Sequence, residues 1–547
     1  MASLLGLASN RGRNLLHLDD RRPGGATVDT IVSNHADAPI LNAAAERGID
    51  TVAVERDPDE SRLDHERRIL AELDPTAYDL VCLDGYMRIL SDTFLDAVPT
   101  TLNVHPSLLP AFPGMDAWGD ALAAGVSVTG CTVHVVTDAT DDEGNVIEAE
   151  IDSGPIVTQE SVPVYANDTQ ETLKDRVLYD GEFRAYPRAV RWFAEGAVSI
   201  ETTGGRPTDV SIAADESAAF PARRFTTADR VESLRYGENP HQDAAVYGDA
   251  TVDEPNVVSA PQIGGEKGMS YVNYVDAAGA LDLITEFERP AAAVIKHANP
   301  AGCAVADELT AAYDAALATD PMSAFGGIVA LNRPCDPDTA ARIVDSVKHV
   351  VVTPGVEADA LDVLGERSDM RVLDVSAGDP RPIGPADRSV DVAERSVVGG
   401  RLVQQRDHQR LVPDDLEVVT ERAPSAAELE TMCFAWSVVK HATSNAIALA
   451  TGTETVGMGI GQVSRVDAVR IATMKAEEHA EGKGPDGSVM ASDAFFPFPD
   501  GIESAAEAGV AAVVQPGGSI RDEEVIDAAD AHDMAMAFTG NRAFRHE

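Results

Sequence analysis

The sequence predicts an α/β chain split between two folding units, and three observations predict it. Short apolar runs alternate with amphipathic stretches over the first two hundred residues, as in strands wound with helices. A polar stretch rich in Gly, Thr, Asp and Ala, about 201–220, interrupts that rhythm as a linker does. From about Pro221 the alternation resumes. At 547 residues the chain also exceeds what one core supports. An N-terminal domain over 1–200 and a C-terminal domain over 221–547 follow. An acidic, Pro-containing segment near 412–427 separates two C-terminal subdomains, about 221–411 and 428–547.

In the first domain the expected strands are Ser3–Ala8, Val28–Val32, Thr51–Val54, Leu80–Leu83, Thr101–His105 and Thr132–Val136. Helical patterns lie between most of them, which predicts a mostly parallel sheet.

Charge narrows the function class. Against 91 acidic residues stand 43 basic ones, a formal net charge of -48, so nucleic acid and anionic membranes are not expected partners. The acid is spread along the chain and only seven lysines occur, a composition suited to a salty cytoplasm in which screening is short-ranged. Five dispersed cysteines (Cys82, Cys131, Cys303, Cys335, Cys433) predict a reducing compartment and no metal site. The N-terminus has no signal-peptide pattern and no stretch is apolar enough to cross a bilayer, so a cytoplasmic protein is expected.

The sharpest chemical signal of the first half is Thr101-Leu-Asn-Val-His-Pro-Ser-Leu-Leu-Pro110. Strand residues two apart share a face, so Asn103 and His105 point together while Leu102 and Val104 face the core. Pro106 ends the strand there, at the edge where wound sheets carry their ligand crevice. A carboxamide beside an imidazole can hold a carbonyl oxygen that gains negative charge. Asp152, in Glu150-Ile-Asp-Ser-Gly-Pro155, can charge His105 or relay a proton. Upstream, Ser9-Asn-Arg-Gly-Arg-Asn14 reads as a strand end, a turn at Gly12 and a helix N-terminus able to meet a phosphate.

Together these motifs resemble the formyltransferase family, and within it the phosphoribosylglycinamide formyltransferases, over about Leu4 to Gly196. The resemblance implies a Rossmann-like domain in which Asn103, His105 and Asp152 are catalytic. It gives Arg11, Gly12, Arg13, Asn14 and Glu182 to the substrate, glycinamide ribonucleotide. Arg62, Met87, Arg88, Ile89 and Leu90 go to the co-substrate 10-formyltetrahydrofolate, and His134 falls near the ligands. An acidic insertion, Ala139 to Glu148, departs from the family pattern just before Asp152. A formyltetrahydrofolate hydrolase or an amino-sugar formyltransferase shares the catalytic trio, and a non-catalytic folate-binding module is the remaining alternative.

In the second half, Val294-Ile-Lys-His-Ala-Asn-Pro-Ala-Gly302 is an apolar strand running into an Asn-Pro turn. Lys296 and His297 can serve one site only if the strand ends at Lys296, because adjacent strand residues face opposite ways. Leu234-Arg-Tyr-Gly-Glu-Asn-Pro-His-Gln242, Asp320-Pro-Met-Ser-Ala-Phe-Gly326, Thr443-Ser-Asn445, Gly459-Ile-Gly-Gln-Val-Ser-Arg465 and Ser492-Asp-Ala-Phe-Phe-Pro-Phe-Pro-Asp500 follow in order around it. This half resembles the AICAR transformylase module of the bifunctional purine enzyme, from about Arg230 onward. The resemblance implies two cytidine-deaminase-like α/β subdomains and a homodimer, with Lys296, His297 and Asn445 catalytic. Arg235, Tyr236, Asn273, Gly326, Arg465 and Arg542 go to the nucleotide AICAR; Gln462, Phe495, Phe498 and Asp500 go to the folate. Because a formyltransferase-like half stands where the relative carries a cyclohydrolase, a separate IMP cyclohydrolase is expected.

Overall fold

A computed structural model describes residues 2–57, 59–140, 146–213 and 219–546. The chain divides into two compact units, Met1–Arg224 and Phe225–Glu547.

In the first unit, seven strands form one sheet: β1 (Ser3–Leu7), β2 (Thr27–Ser33), β3 (Asp50–Ala53), β4 (Leu80–Leu83), β5 (Thr101–His105), β6 (Val128–Val135) and β7 (Ile156–Pro163). Their order is β3-β2-β1-β4-β5-β6-β7. The pairs from β3 to β5 are parallel, while β6 and β7 add antiparallel. Alternation along β1 and β4 sends Leu4, Leu80 and Cys82 into one apolar core and Leu5, Leu7, Val81 and Leu83 into the other, the pattern of a sheet covered on both faces. Helix α1 (Arg13–Arg21) follows β1. The helix Phe183–Ala194 is tied to the centre of the sheet by the Tyr186 hydroxyl, which donates to the Leu83 carbonyl at 2.9 Å with Leu102 O 3.1 Å away.

The stretch read as a linker differs from expectation. Residues 198–212 form an antiparallel hairpin of β8 (Val198–Thr203) and β9 (Arg206–Ile212). Its turn is Gly204-Gly205, at φ 63° and 87°, which matches the strand twist that a two-residue hairpin turn requires. Within the remainder of that stretch, residues 214–218 lie outside the described ones.

The second unit is built on one twelve-stranded sheet among its described residues. The hairpin Ala291–Lys296/Asn299–Val305 lies in one half and Ile447–Thr451/Glu454–Gly459 in the other. The halves join where Ala304 pairs with Glu454. The segment near 412–427 includes the short strand Glu417–Val418, which pairs with Ala535–Phe538 at the sheet's edge. Ala291, Ala293 and Ile295 face one core, and Ala292 and Val294 another. No helix among the described residues is long and apolar enough to cross a membrane.

Candidate active sites

Each unit gathers one of the two motif sets. In the first, β5 ends at His105, where Pro106 removes the N–H that would continue the ladder. Asp152 reaches this strand end through a turn in left-handed conformation, φ 55°. Gly154 holds the turn against β6, because a Cβ there would lie 1.8 Å from Val135 O. The acidic insertion closes at its base through the Thr140–Val146 bridge and Ile147 N–H to Ala139 O at 2.8 Å; residues 141–145 lie outside the described ones.

The resulting geometry is specific. Nδ1 of His105 is 3.1 Å from Asp152 Oδ2, and Nε2 is 3.0 Å from the Phe112 carbonyl oxygen. Both ring nitrogens therefore face acceptors, which suits the imidazolium form. Burial disfavours that charge, but the Asp152 hydrogen bond and charge outweigh it and hold His105 above the ordinary imidazole range. Asp152 moves the opposite way: burial works against its charge, and His105 overcomes this and draws it below the usual carboxylate range. His134 is kept low by burial. Its Nδ1 lies 3.2 Å from Val135 O, and its Nε2 accepts from the Asn103 amide at 3.2 Å. One amide hydrogen of Asn103 is thus engaged by His134, leaving the second for an incoming carbonyl oxygen.

Asn103, His105 and Asp152 line a cavity of about 910 Å³ together with Arg11, Gly12, Arg13, Met87–Leu90 and Glu182. Arg62 lines a neighbouring cavity of about 200 Å³ that shares Met87, Arg88, Ile89 and Leu90. Gly12 precedes α1 at φ 53°, and a Cβ there would meet Ile40 at 2.7 Å, so a side chain there would be strained and would displace Ile40. Asn14 lies beneath the cavity, its backbone N–H donated to Asp84 Oδ2 at 2.7 Å and its amide to Glu182 Oε2 at 2.6 Å. One helix amide read as a phosphate donor is thus committed to a side-chain carboxylate. Glu182 ends a π-helical turn, Val177–Glu182, and burial pushes its carboxyl up to about 7. Sequence reasoning missed Asp84, Trp118 and Lys174, all of which line the cavity. The signal for Asp84 was its place directly after β4; Lys174 Nζ lies over the Trp118 ring at 4.7 Å, a pairing without a sequence pattern.

In the second unit the strand does end at Lys296. The reversal is not the expected Asn-Pro turn, however. Asn299 and Pro300 already belong to the next strand, and the two-residue turn is His297-Ala298, at φ 53° and 56°. Asn299 cannot sit in the turn because its backbone pairs with Lys296 in the ladder. Asp276 Oδ1 accepts the Ala298 N–H at 2.7 Å, and the Asn299 amide donates to His297 O at 2.9 Å. Asn299 Oδ1 also accepts the Thr443 N–H at 2.8 Å, which brings the Lys-His and Thr-Ser-Asn motifs together. Lys296 Nζ donates to Phe325 O at 3.0 Å, beside Gly326.

Asn445 is locked in turn. Its amide donates to Gln462 O at 2.8 Å and its Oδ1 accepts from Arg465 at 2.7 Å. Arg465 is buried and also reaches Ser492 and Asp493. Asn273 is used in the capping box of the helix Tyr271–Ile284. Arg235 and Tyr236 pack on one another at 5.6 Å, Arg542 lies over Phe544 at 5.1 Å, and Phe498 lies under Arg521 at 4.7 Å. These residues, with exposed Phe495 and Asp500, lie outside the hydrogen-bonded set around Lys296 and Asn445.

Comparison with known proteins follows the same division. Residues 4–190 match the formyl transferase family and residues 207–475 the family described as AICARFT/IMPCHase bienzyme. The bifunctional purine biosynthesis protein PurH of Roseobacter denitrificans is 49% identical over 334 residues, covering 60% of this chain and 62% of that protein. PurH of Rhodospirillum rubrum is 50% identical over 371 residues, 66% of this chain and 65% of its own length. The chain thus spans somewhat less than two thirds of the length of these curated relatives. Among solved structures, glycinamide ribonucleotide transformylase 1 of Symbiobacterium toebii is 41% identical and covers 39% of this chain and 94% of its own, with TM-score 0.34. Phosphoribosylglycinamide formyltransferase of Brucella melitensis is 39% identical, with 35% and 95% covered and TM-score 0.31. The chain therefore joins a domain of the formyl transferase family, over residues 4–190, to a domain of the AICARFT/IMPCHase family, over residues 207–475.

Proposed function

We propose that the chain is a bifunctional, cytoplasmic formyltransferase of purine synthesis. The first unit formylates glycinamide ribonucleotide, the second formylates AICAR, and both use 10-formyltetrahydrofolate. The convergence of Asn103, His105 and Asp152 beneath one cavity carries the reading. Apolar Met87, Ile89 and Leu90 with Arg88 suit a flat, anionic co-substrate there. In the second unit Gln462, Phe495, Phe498 and Asp500 would take the same molecule.

The co-substrate supplies a formyl carbon bonded to a folate nitrogen. A substrate amine bonds to that carbon, the bond to the folate nitrogen breaks, and one proton passes from the amine to the departing nitrogen. Asn103 and His105 stabilise the oxygen that gains charge, and the His105–Asp152 pair moves the proton. In the second unit His297 accepts the amine proton and Lys296 stabilises the oxygen that gains charge, with Asn445 assisting from its fixed place beside Arg465. Losing one such group costs about two to four orders of magnitude in rate, roughly 3–5 kcal/mol.

The formyl transferase match in the N-terminal unit supports a chain that stops at the formylated carboxamide, so a separate IMP cyclohydrolase closes the ring; a homodimer is expected in solution. The test is a pair of spectrophotometric assays on the purified chain, one per nucleotide. His105→Ala should abolish only the glycinamide activity and His297→Ala only the carboxamide activity. Formyl consumption without any amine would instead identify a hydrolase, and IMP formed without a second enzyme would refute the missing step.

A further inference from the structure

Asp84, in the lining of the first cavity, has no part in the chemistry above. It follows β4, and its Oδ2 accepts the Asn14 backbone N–H at 2.7 Å while Oδ1 accepts from the Asn14 amide at 3.2 Å. The same amide nitrogen donates to Glu182 Oε2 at 2.6 Å. Two carboxylates on one nitrogen set the orientation of the amide, since the reverse would press a carbonyl oxygen against both. Asn14 Oδ1 consequently turns inward with no hydrogen-bond partner, on a residue only 2% exposed. Gly12 has no side chain to cap α1, and Asp84 places a carboxylate on that helix's first turn from another strand.

We propose that Asp84 is a positioning residue of the N-terminal site, which bridges the first turn of α1 and the Asn14 carboxamide and thereby fixes Glu182 against the cavity. The proposal rests on the reading above only for the identity of the substrate that Glu182 holds. The groups that act on Glu182 are Asp84 after β4, Asn14 and Arg13 on α1, and His105 on β5, with the Cys131 thiol of β6 also nearby. Burial raises the Glu182 carboxyl most, the Asn14 hydrogen bond opposes this, and the like charge of Asp84 adds to it.

These opposing influences give the test. In the full-length chain without substrate, infrared difference titration follows the Glu182 carboxyl band, assigned by its loss in Glu182→Gln. Asp84→Asn should move its midpoint to lower pH, and Asn14→Ala should move it to higher pH. With glycinamide ribonucleotide at pH 8, Asp84→Asn should raise KM at least about tenfold with kcat within about threefold. A midpoint unmoved in both variants, or a fall in kcat with KM unchanged, overturns the proposal. A variant that only lowers Tm gives Asp84 a structural role alone and overturns it too. Should Asp84→Asn not fold, the upward shift in Asn14→Ala decides. A parent chain inert toward the nucleotide would sink the functional reading while leaving the two shifts readable.

Discussion

Asp152 Oδ2 stands 3.1 Å from His105 Nδ1, and each residue shifts the other's proton affinity in the direction that favours an ion pair. The sign of the linkage follows. His105, raised on folding, contributes stability below its unfolded value of about 6.5 and loses it as pH rises through the folded one. Asp152, lowered on folding, contributes stability above its unfolded value of about 3.9 and loses it as pH falls through the folded one.

Replacing Asp152 by Asn keeps the shape and removes the charge. His105 should then release its proton at lower pH, so the limb of the glycinamide kcat/KM profile that reports it moves to lower pH. The rate itself should fall by about two to three orders of magnitude. The pH profile of the variant checks both; an unmoved limb would mean that His105 owes its proton to another neighbour.

Much of this was legible from residue type and spacing, and what was not has physical causes. Asn103 and His105 share a face because strands alternate, and Pro106 marks the strand end. The hairpin 198–212 is masked by polar side chains and by Gly204-Gly205, although Thr202, Thr203 and Thr208 are β-branched strand formers. At the Lys-His motif, Asn-Pro outranks His-Ala as a turn signal, yet pairing of Lys296 with Asn299 moves the reversal two residues earlier. Gly457 and Gly459, on the strand Glu454–Gly459, answer to packing that sequence spacing does not show. A Cβ at either would lie 2.3 or 1.9 Å from a carbonyl oxygen of the helix Arg465–Glu478, so these glycines let a helix lie close. Asp84 was invisible because its partner Asn14, on α1, stands 70 residues earlier in the chain.

The His297-Ala298 turn gives a prediction that separates stability from activity. Two residues with a Cβ occupy the left-handed region, which costs roughly 1 kcal/mol apiece. Ala298→Gly relieves one of them and should raise stability toward urea by about 0.5–1 kcal/mol, with carboxamide formylation retained. His297→Gly should stabilise similarly while abolishing that activity, the trade expected where strain serves a site. Urea melts paired with the carboxamide assay decide, and a destabilised Ala298→Gly would show that the turn is not strained.

A formal charge of -48 makes the compact state repel itself at low ionic strength. Raising potassium chloride from about 0.1 M to about 1 M shortens the Debye length from about 10 Å to about 3 Å. The Tm of the chain should therefore climb with salt, and most steeply at the low end. A Tm flat across the series would mean that the acidic surface is already neutralised by local ion pairs.

A cluster of buried ions links the core of the second unit to its site. Glu286 meets Arg388, Lys440 Nζ at 2.9 Å and His441 Nε2 at 3.0 Å, while Asp282 meets Arg406 at 2.6 Å. Burial alone would raise both carboxyls; the surrounding cations reverse this, bringing Glu286 down to about 2 and Asp282 lower still. Depressed carboxyls stabilise above their unfolded range, about 4.3 for Glu, and lose that contribution as pH falls toward the folded value. From this cluster Arg545 reaches His441 Nδ1 at 3.4 Å, and its backbone carbonyl accepts the Ser444 N–H at 3.0 Å, next to Asn445. Glu286→Gln leaves Arg388 and Lys440 buried without their shared counter-charge, a loss of about 3–5 kcal/mol. Urea unfolding at pH 7 should show that loss, and the parent and variant should converge as pH falls through about 4 toward about 2. Below the melting range the variant should also formylate the carboxamide nucleotide more slowly while its glycinamide activity is untouched. Equal losses in both activities would mean that the cluster supports the whole chain and not the Asn445 loop.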